Sequence, residues 1–122
     1  MRFQGKIVVV TGAGAGIGRA IAEHFAQEGA ALVVVDVNEA SAQNVVTAIQ
    51  AQGGAALAVR ADVSSAADAQ RIAAQAAQTF GGIDILCNIA GIQTYGSVVD
   101  TDEATWDRTL NINLKGVYLV SK

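Results

Sequence analysis

Four glycines at alternate positions, Gly12, Gly14, Gly16 and Gly18, stand between a β-branched run and a stretch of helical periodicity. Residues without a Cβ at such a place allow a tight turn and a close approach of backbone to a bulky ligand. They also let the following helix lie against the preceding strand. The helix start then presents free N–H groups and a partial positive charge, which together suit the binding of a pyrophosphate. The spacing reads T-G-x-x-x-G-x-G from Thr11 to Gly18, with Ile17 inside the turn, rather than G-x-G-x-x-G. Asp36 follows 18 residues after Gly18, at the end of a second apolar run. A carboxylate there can accept hydrogen bonds from both ribose hydroxyls of an adenosine and repels a 2′-phosphate. No Lys or Arg occupies 13–17 or 37–40 to offset that repulsion, so NAD is expected in preference to NADP.

Other groups capable of chemistry are few. His24 falls on the first helical stretch, away from the strand ends, and reads as a surface or packing residue. Cys87 lies in an apolar run with no activating base nearby in sequence and reads as core. Tyr118 and Lys122 stand four apart, which would put a phenol and an ammonium on one helix face. Their neighbours Val117, Leu119 and Val120 read as ordinary packing. No spacing of His, Cys, Asp and Glu suggests a metal site.

The elements that must position these residues alternate. Lys6–Thr11, Ala31–Asp36, Leu57–Arg60 and Ile83–Cys87 read as strands. Helices are expected from about Gly16 to Glu28, stopped by Gly29, and from the Asn38 cap to about Gln52. A third runs from Ser64 or Ser65 to Gly81-Gly82, and a fourth from Thr101 or Asp102 through Trp106 and Leu110. Gly91–Asp100 reads as a loop, and a further helix is expected to begin near Leu114. Strand–helix repetition of this kind implies right-handed crossovers and a parallel sheet. The strands are continuous apolar runs, as parallel strands covered on both faces should be.

With 122 residues the chain is one domain at most. Apolar residues reach 52% and charged residues only 16%, which excludes a disordered chain. The net charge of −3 and the lack of a basic cluster make nucleic acid and anionic membranes poor partners. No apolar run approaches the ~18 residues of a membrane span, and the amino terminus lacks a signal-peptide pattern. A single cysteine points to a reducing cytoplasm.

Taken together, Thr11-Gly12-Ala13-Gly14-Ala15-Gly16-Ile17-Gly18, Asp36, Asp62-Val63, Asn88-Ile89-Ala90-Gly91 and Asn113 resemble, in order, the motifs of the short-chain dehydrogenase/reductase family. The resemblance runs from about Gly5 to Lys122. It implies a Rossmann-type doubly wound sheet, with strand order 3-2-1-4 for the part present. Gly12, Gly14, Gly16, Ile17 and Gly18 would hold the dinucleotide with Asp36. Asp62 would bind the adenine amino group and Val63 would line its pocket. Asn88, Ala90 and Gly91 would support the ribose and nicotinamide side. Asn113 matches the family's catalytic asparagine, whereas the nearby Asn111 does not. The family pattern Asn-Asn-Ala-Gly is broken here by Ile89, which removes one polar contact that would stabilise the sheet.

The resemblance further implies an NAD(P)-dependent oxidoreductase moving a hydride between nicotinamide and an alcohol or carbonyl carbon. The family's Ser and its Tyr-x-x-x-Lys lie past another strand after Asn113, so Tyr118 and Lys122 do not match them. Residues 1–122 are therefore expected to form a cofactor-binding half-domain cut within its last helix. That half is expected to belong to a protein of about twice this length, with no turnover from this stretch alone and a homo-oligomer as the full-length form. A catalytically silent NAD-binding or assembly module is the alternative. A Rossmann-like methyltransferase shares the glycine turn and the acidic strand end, but the spacing at 11–18 and Asn88-x-Ala90-Gly91 argue against it.

Overall fold

A computed structural model describes all 122 residues. Four strands alternate with helices: β1 (Ile7–Thr11), α1 (Gly16–Gln27), β2 (Ala31–Asp36), α2 (Glu39–Ala51), β3 (Ala55–Arg60), α3 (Ala66–Phe80) and β4 (Ile85–Cys87). A long loop then leads to α4 (Glu103–Leu110), a π-helical turn (Asn111–Lys115) and α5 (Gly116–Ser121). The strands form one parallel sheet in the order β3-β2-β1-β4. This is the doubly wound, Rossmann-type α/β architecture, with the strand order expected of it.

The two central strands are built almost wholly of Val and Leu, and Val8–Val10 and Leu32–Val35 are fully buried. Alternate residues point to opposite faces. Val8, Val10, Leu32 and Val34 pack with Ala22 of α1 and with Val45 and Ile49 of α2. Val9, Val33 and Val35 pack with Ile72 and Ala76 of α3, and Val120 of α5 reaches the same cluster. Each buried aliphatic side chain contributes about 1.5–3 kcal/mol, so the two-sided cover of β1 and β2 anchors everything attached to their ends.

Helix boundaries follow their caps. Asn38, Ser65 and Asp102 each accept a backbone N–H from the first turn of α2, α3 and α4. Gly81 ends α3 in the left-handed conformation that a side chain would disfavour. α1 differs, because its first turn follows Ala15 and has no side-chain cap.

Two expectations are corrected. β3 begins at Ala55, not Leu57, because Ala55 and Ala56 pair with Ala31 and Leu32. β4 begins at Ile85, not Ile83, because the Asp84 carboxylate takes the Ile7 N–H at 2.8 Å while the Asp84 N–H bonds Ile7 O. That contact also gives Asp84 its structural role at the strand start. α5 begins at Gly116, two residues after Leu114, and follows the π turn without a break. Leu110, Asn111, Lys115 and Gly116 all keep right-handed helical dihedrals, so α4 runs on into α5 through the π turn.

α1 meets β1 at Gly18. A Cβ there would collide with the carbonyl of Gly12 and come within 2.8 Å of its carbon. Gly18→Ala is expected to destabilise the protein by about 1–3 kcal/mol through overpacking. The midpoint of urea unfolding would measure this, and an unchanged midpoint would show that α1 can retreat freely.

Candidate functional site

The motifs converge at the carboxyl ends of the strands, where open α/β sheets bind their ligands. Gly12, Asp36, Asp62, Val63, Ala90 and Gly91 line one cleft of about 370 Å³ there, joined by Val37, Arg60, Ile92, Arg108 and Ile112. A larger hollow of about 740 Å³ lies at the opposite end, around Lys6, Ile7, Ala31 and Ala55. It holds none of the site motifs.

The glycine turn divides its tasks. Gly12 has φ +63°, and a Cβ on it would stand 2.8 Å from Ala90 Cα. Gly14 leaves room for Asp36, since a Cβ would stand 2.7 Å from Asp36 Oδ2. Gly16 has φ +58° and faces open space, so Gly16, rather than Gly14, is where backbone lies bare to an approaching ligand. Ala15, Gly16 and Ile17 are exposed. The first backbone bond of α1 runs from the Arg19 N–H to Ala15 O, and no side chain caps the turn. The N–H groups of residues 16–18 are thus free of internal acceptors at the positive end of a helix dipole, which is an anion-binding arrangement.

Asp36 closes the turn from β2. Its Oδ2 accepts the Gly14 N–H at 2.9 Å and its Oδ1 accepts the Asn38 N–H at 2.9 Å. A carboxylate has about four acceptor positions, so two remain for hydroxyl donors in the cleft. Asp62 accepts from the backbone N–H and the hydroxyl of Ser64, both on Oδ1. Val63 is buried and lies against Gly116, where a Cβ would come within 2.8 Å of Val63 Cγ2.

Thr11 organises the exit of β4. It is 1% exposed, and its Oγ1 accepts the N–H groups of Ile89 at 3.0 Å and Ala90 at 3.1 Å. Sequence reasoning treated Thr11 only as the start of the signature. The two backbone bonds tie the Ile89–Ala90 segment to β1 whatever side chain stands at 89.

Two asparagines are engaged elsewhere. Asn88 donates to Ser121 Oγ of α5 at 3.1 Å and is not among the residues lining the cleft. Asn113, in the π turn, accepts the Ile92 N–H and donates to Ile92 O, both at 2.8 Å. Its carboxamide is thereby fixed in orientation, with one N–H donor and one acceptor position of the oxygen still open. π turns recur at functional sites because they misalign the helical hydrogen-bond ladder.

Arg60 and Arg108 went unnoticed in sequence because they stand outside the stretches next to Asp36 and the glycine turn. Arg60 is opposite Asp36 in the strand register, and Arg108 is four residues before Ile112 on the same helix. Tyr118 is 58% exposed on α5 and, like Lys122, does not line the cleft. His24 is exposed on α1. Partial burial pushes the Cys87 thiol above its ordinary range, which suits a packing role. Gln93 and Tyr95, in the loop after β4, are exposed and also outside the cleft lining.

The short-chain dehydrogenase family model matches residues 6–122. An uncharacterized oxidoreductase of Thermotoga maritima is 43% identical over 122 residues, all of this chain and 48% of that protein. The 2-(S)-hydroxypropyl-CoM dehydrogenase 3 of Xanthobacter autotrophicus is 39% identical over 121 residues, covering 99% of this chain and 48% of its own. The crystal structure of hydroxysteroid dehydrogenase from Escherichia coli superposes with a TM-score of 0.94 at 39% identity, over 98% of this chain and 51% of that one. The chain belongs to the short-chain dehydrogenase family, whose oxidoreductases use nicotinamide dinucleotides. It spans about half the length of these relatives.

Replacing Thr11 by Val keeps the shape and strands two N–H groups at the cleft floor. Thr11→Val is expected to cost about 3 kcal/mol in stability and to speed hydrogen exchange at Ile89 and Ala90. Wild-type exchange rates at those two amides would contradict the anchoring role.

Proposed function

We propose that residues 1–122 form the cofactor-binding half of an NAD-dependent oxidoreductase that interconverts alcohols and carbonyl compounds. The observation carrying this reading is one cleft lined by Gly12, Asp36 and the Asp62–Val63 turn, with Asp36 bonded to Gly14 of the turn that leads into the uncapped start of α1. The N–H groups of Gly16–Gly18 would bind the pyrophosphate. Asp36, held by Gly14 and Asn38, would orient the adenosine ribose. Asp62 would accept from the adenine amino group, and Val63 would wall the adenine. Gly12, Ala90 and Gly91 let the cofactor backbone pass close, with Thr11 fixing Ala90 beneath it. A nicotinamide dinucleotide, when bound, supplies or accepts the hydride.

The ionisable residues lining the cleft are Asp36, Arg60, Asp62 and Arg108. The lining holds no Ser, Tyr or Lys, so proton transfer to the substrate oxygen would fall to other residues of the whole protein. A module that binds NAD without turnover is the second reading, and the same sparse set of ionisable groups favours it. A turnover assay on the full-length protein separates the two.

A homo-oligomer is supported by α4 and α5. Trp106, Leu110, Leu114, Val117 and Tyr118 form an exposed apolar stripe at intervals of three or four residues. Asp102, Glu103 and Asp107 precede Arg108, Lys115 and Lys122 along it, so an antiparallel copy would bring opposite charges together. No helix is long and apolar enough to cross a membrane. A reducing cytoplasm fits the single free thiol of Cys87.

In the full-length protein, Asp36→Ala is expected to weaken NAD+ binding about tenfold or more while changing NADP+ binding much less. Fluorescence titration with both cofactors measures the ratio, and equal losses would remove Asp36 from cofactor choice. Tyr118→Phe is expected to leave kcat within about a factor of two. A fall of several orders of magnitude in a folded variant would make Tyr118 the acid after all.

A further inference from the structure

The Asp62 carboxylate can meet an adenine only if the chain that carries it is held still, and an ion pair on α3 grips that chain from both sides. Asp68 Oδ2 accepts the Asp62 N–H at 2.9 Å. Asp68 Oδ1 accepts from Arg71 at 2.9 Å. The second guanidinium nitrogen of Arg71 donates to the carbonyl of Arg60. We propose that Asp68 and Arg71 are positioning residues for the adenine end of the cleft, acting through the Arg60–Asp62 segment. The proposal rests on the reading of Asp62 as the adenine contact.

The rest of the segment is accounted for as well. The Ala61 N–H bonds Asp36 O at 3.2 Å, and Asp62 O accepts the Ser65 N–H at 3.0 Å. Within the Asp62 side chain, Oδ1 takes both Ser64 contacts, and Oδ2 has no partner in the chain. The clamp therefore leaves one carboxylate oxygen, on a fixed backbone, to face the cleft. Removing Asp68 frees the Asp62 N–H and leaves Arg71 without its anion. Removing Arg71 frees the Arg60 carbonyl and lets the Asp68 carboxylate swing.

Plain helix capping does not explain the geometry. Ser65 is the cap of α3, and its Oγ accepts the Asp68 N–H at 3.2 Å. In a reciprocal capping box the acidic side chain at Asp68 would return to the cap's own N–H. Here that N–H is already taken by Asp62 O, and Asp68 reaches past it to Asp62. An Arg at 71 rather than a Lys fits the same purpose, since a planar fork can hold a carboxylate and a carbonyl at once.

The test measures dissociation constants of the full-length protein for NAD+ and for its analogue with unsubstituted purine in place of adenine. The two differ only by the amino group that Asp62 would receive. Wild type is expected to prefer NAD+ about tenfold or more, the worth of one hydrogen bond to a charged group. Asp68→Ala is expected to reduce that preference to about twofold or less. Arg71→Ala, at a partly exposed position that tolerates truncation, is expected to do the same. Ser65→Ala is expected to lower the melting temperature and keep the preference. If Asp68→Ala and Arg71→Ala weaken both dinucleotides equally and keep the wild-type ratio, the positioning role is overturned while the cofactor reading stands. A wild type that binds both equally removes the Asp62 contact, and this proposal with it. A wild type that binds neither removes the cofactor reading itself.

Discussion

The backbone of α1 runs so close to the end of β1 that the Gly12 carbonyl occupies the place where a Cβ of Gly18 would be. This contact sets the tilt and depth of the helix, and the cleft inherits its shape from that setting. A helix held farther from the sheet would carry its free N–H groups away from Asp36 and Asp62. The contact in turn depends on β1 being immobile, which follows from its burial beneath helices on both faces. Packing in the middle of the sheet and the geometry at its edge are thus one constraint expressed twice.

Around that fixed helix the site is assembled from side chains that hold backbone. Asp36 bonds the Gly14 and Asn38 N–H groups, Thr11 bonds those of Ile89 and Ala90, and Asn113 bonds both main-chain groups of Ile92. Each is polar, is attached to a regular element, and reaches into an irregular one. Loops at strand ends have few backbone partners of their own, so their conformation must be imposed from outside. Of the charged residues lining the cleft, Asp36 and Asp62 both hold backbone in this way and keep acceptor positions in reserve.

Much of this was legible in the sequence. Runs such as Lys6–Thr11 and Ala31–Asp36 are too β-branched and too apolar to be anything but buried parallel strands, and the family resemblance implied the strand order. The glycine turn and Asp36 were legible because one local turn and one crossover fix their relation. What was hidden depends on contacts between distant segments. Arg60 enters the cleft through its register with Asp36, and Arg108 because the chain after the long loop returns to the cleft. Asn88 could not be assigned to Ser121, 33 residues on, from any local rule. The π turn was hidden because hydrogen-bond offset, rather than composition, distinguishes it from ordinary helix.

The uncapped start of α1 has a thermodynamic consequence. α2, α3 and α4 close their own first turns with Asn38, Ser65 and Asp102, so their ends are complete in the bare protein. α1 leaves its first turn to whatever anion arrives, and a missing cap is worth about 1 kcal/mol to a helix. An anion that binds there only in the folded state shifts the folding equilibrium by mass action, by about 2.7 kcal/mol at a hundredfold excess over its dissociation constant. Persistence of the folded chain would then be tied to the abundance of such an anion, and the concentration of a small molecule would help to set how long the fold lasts.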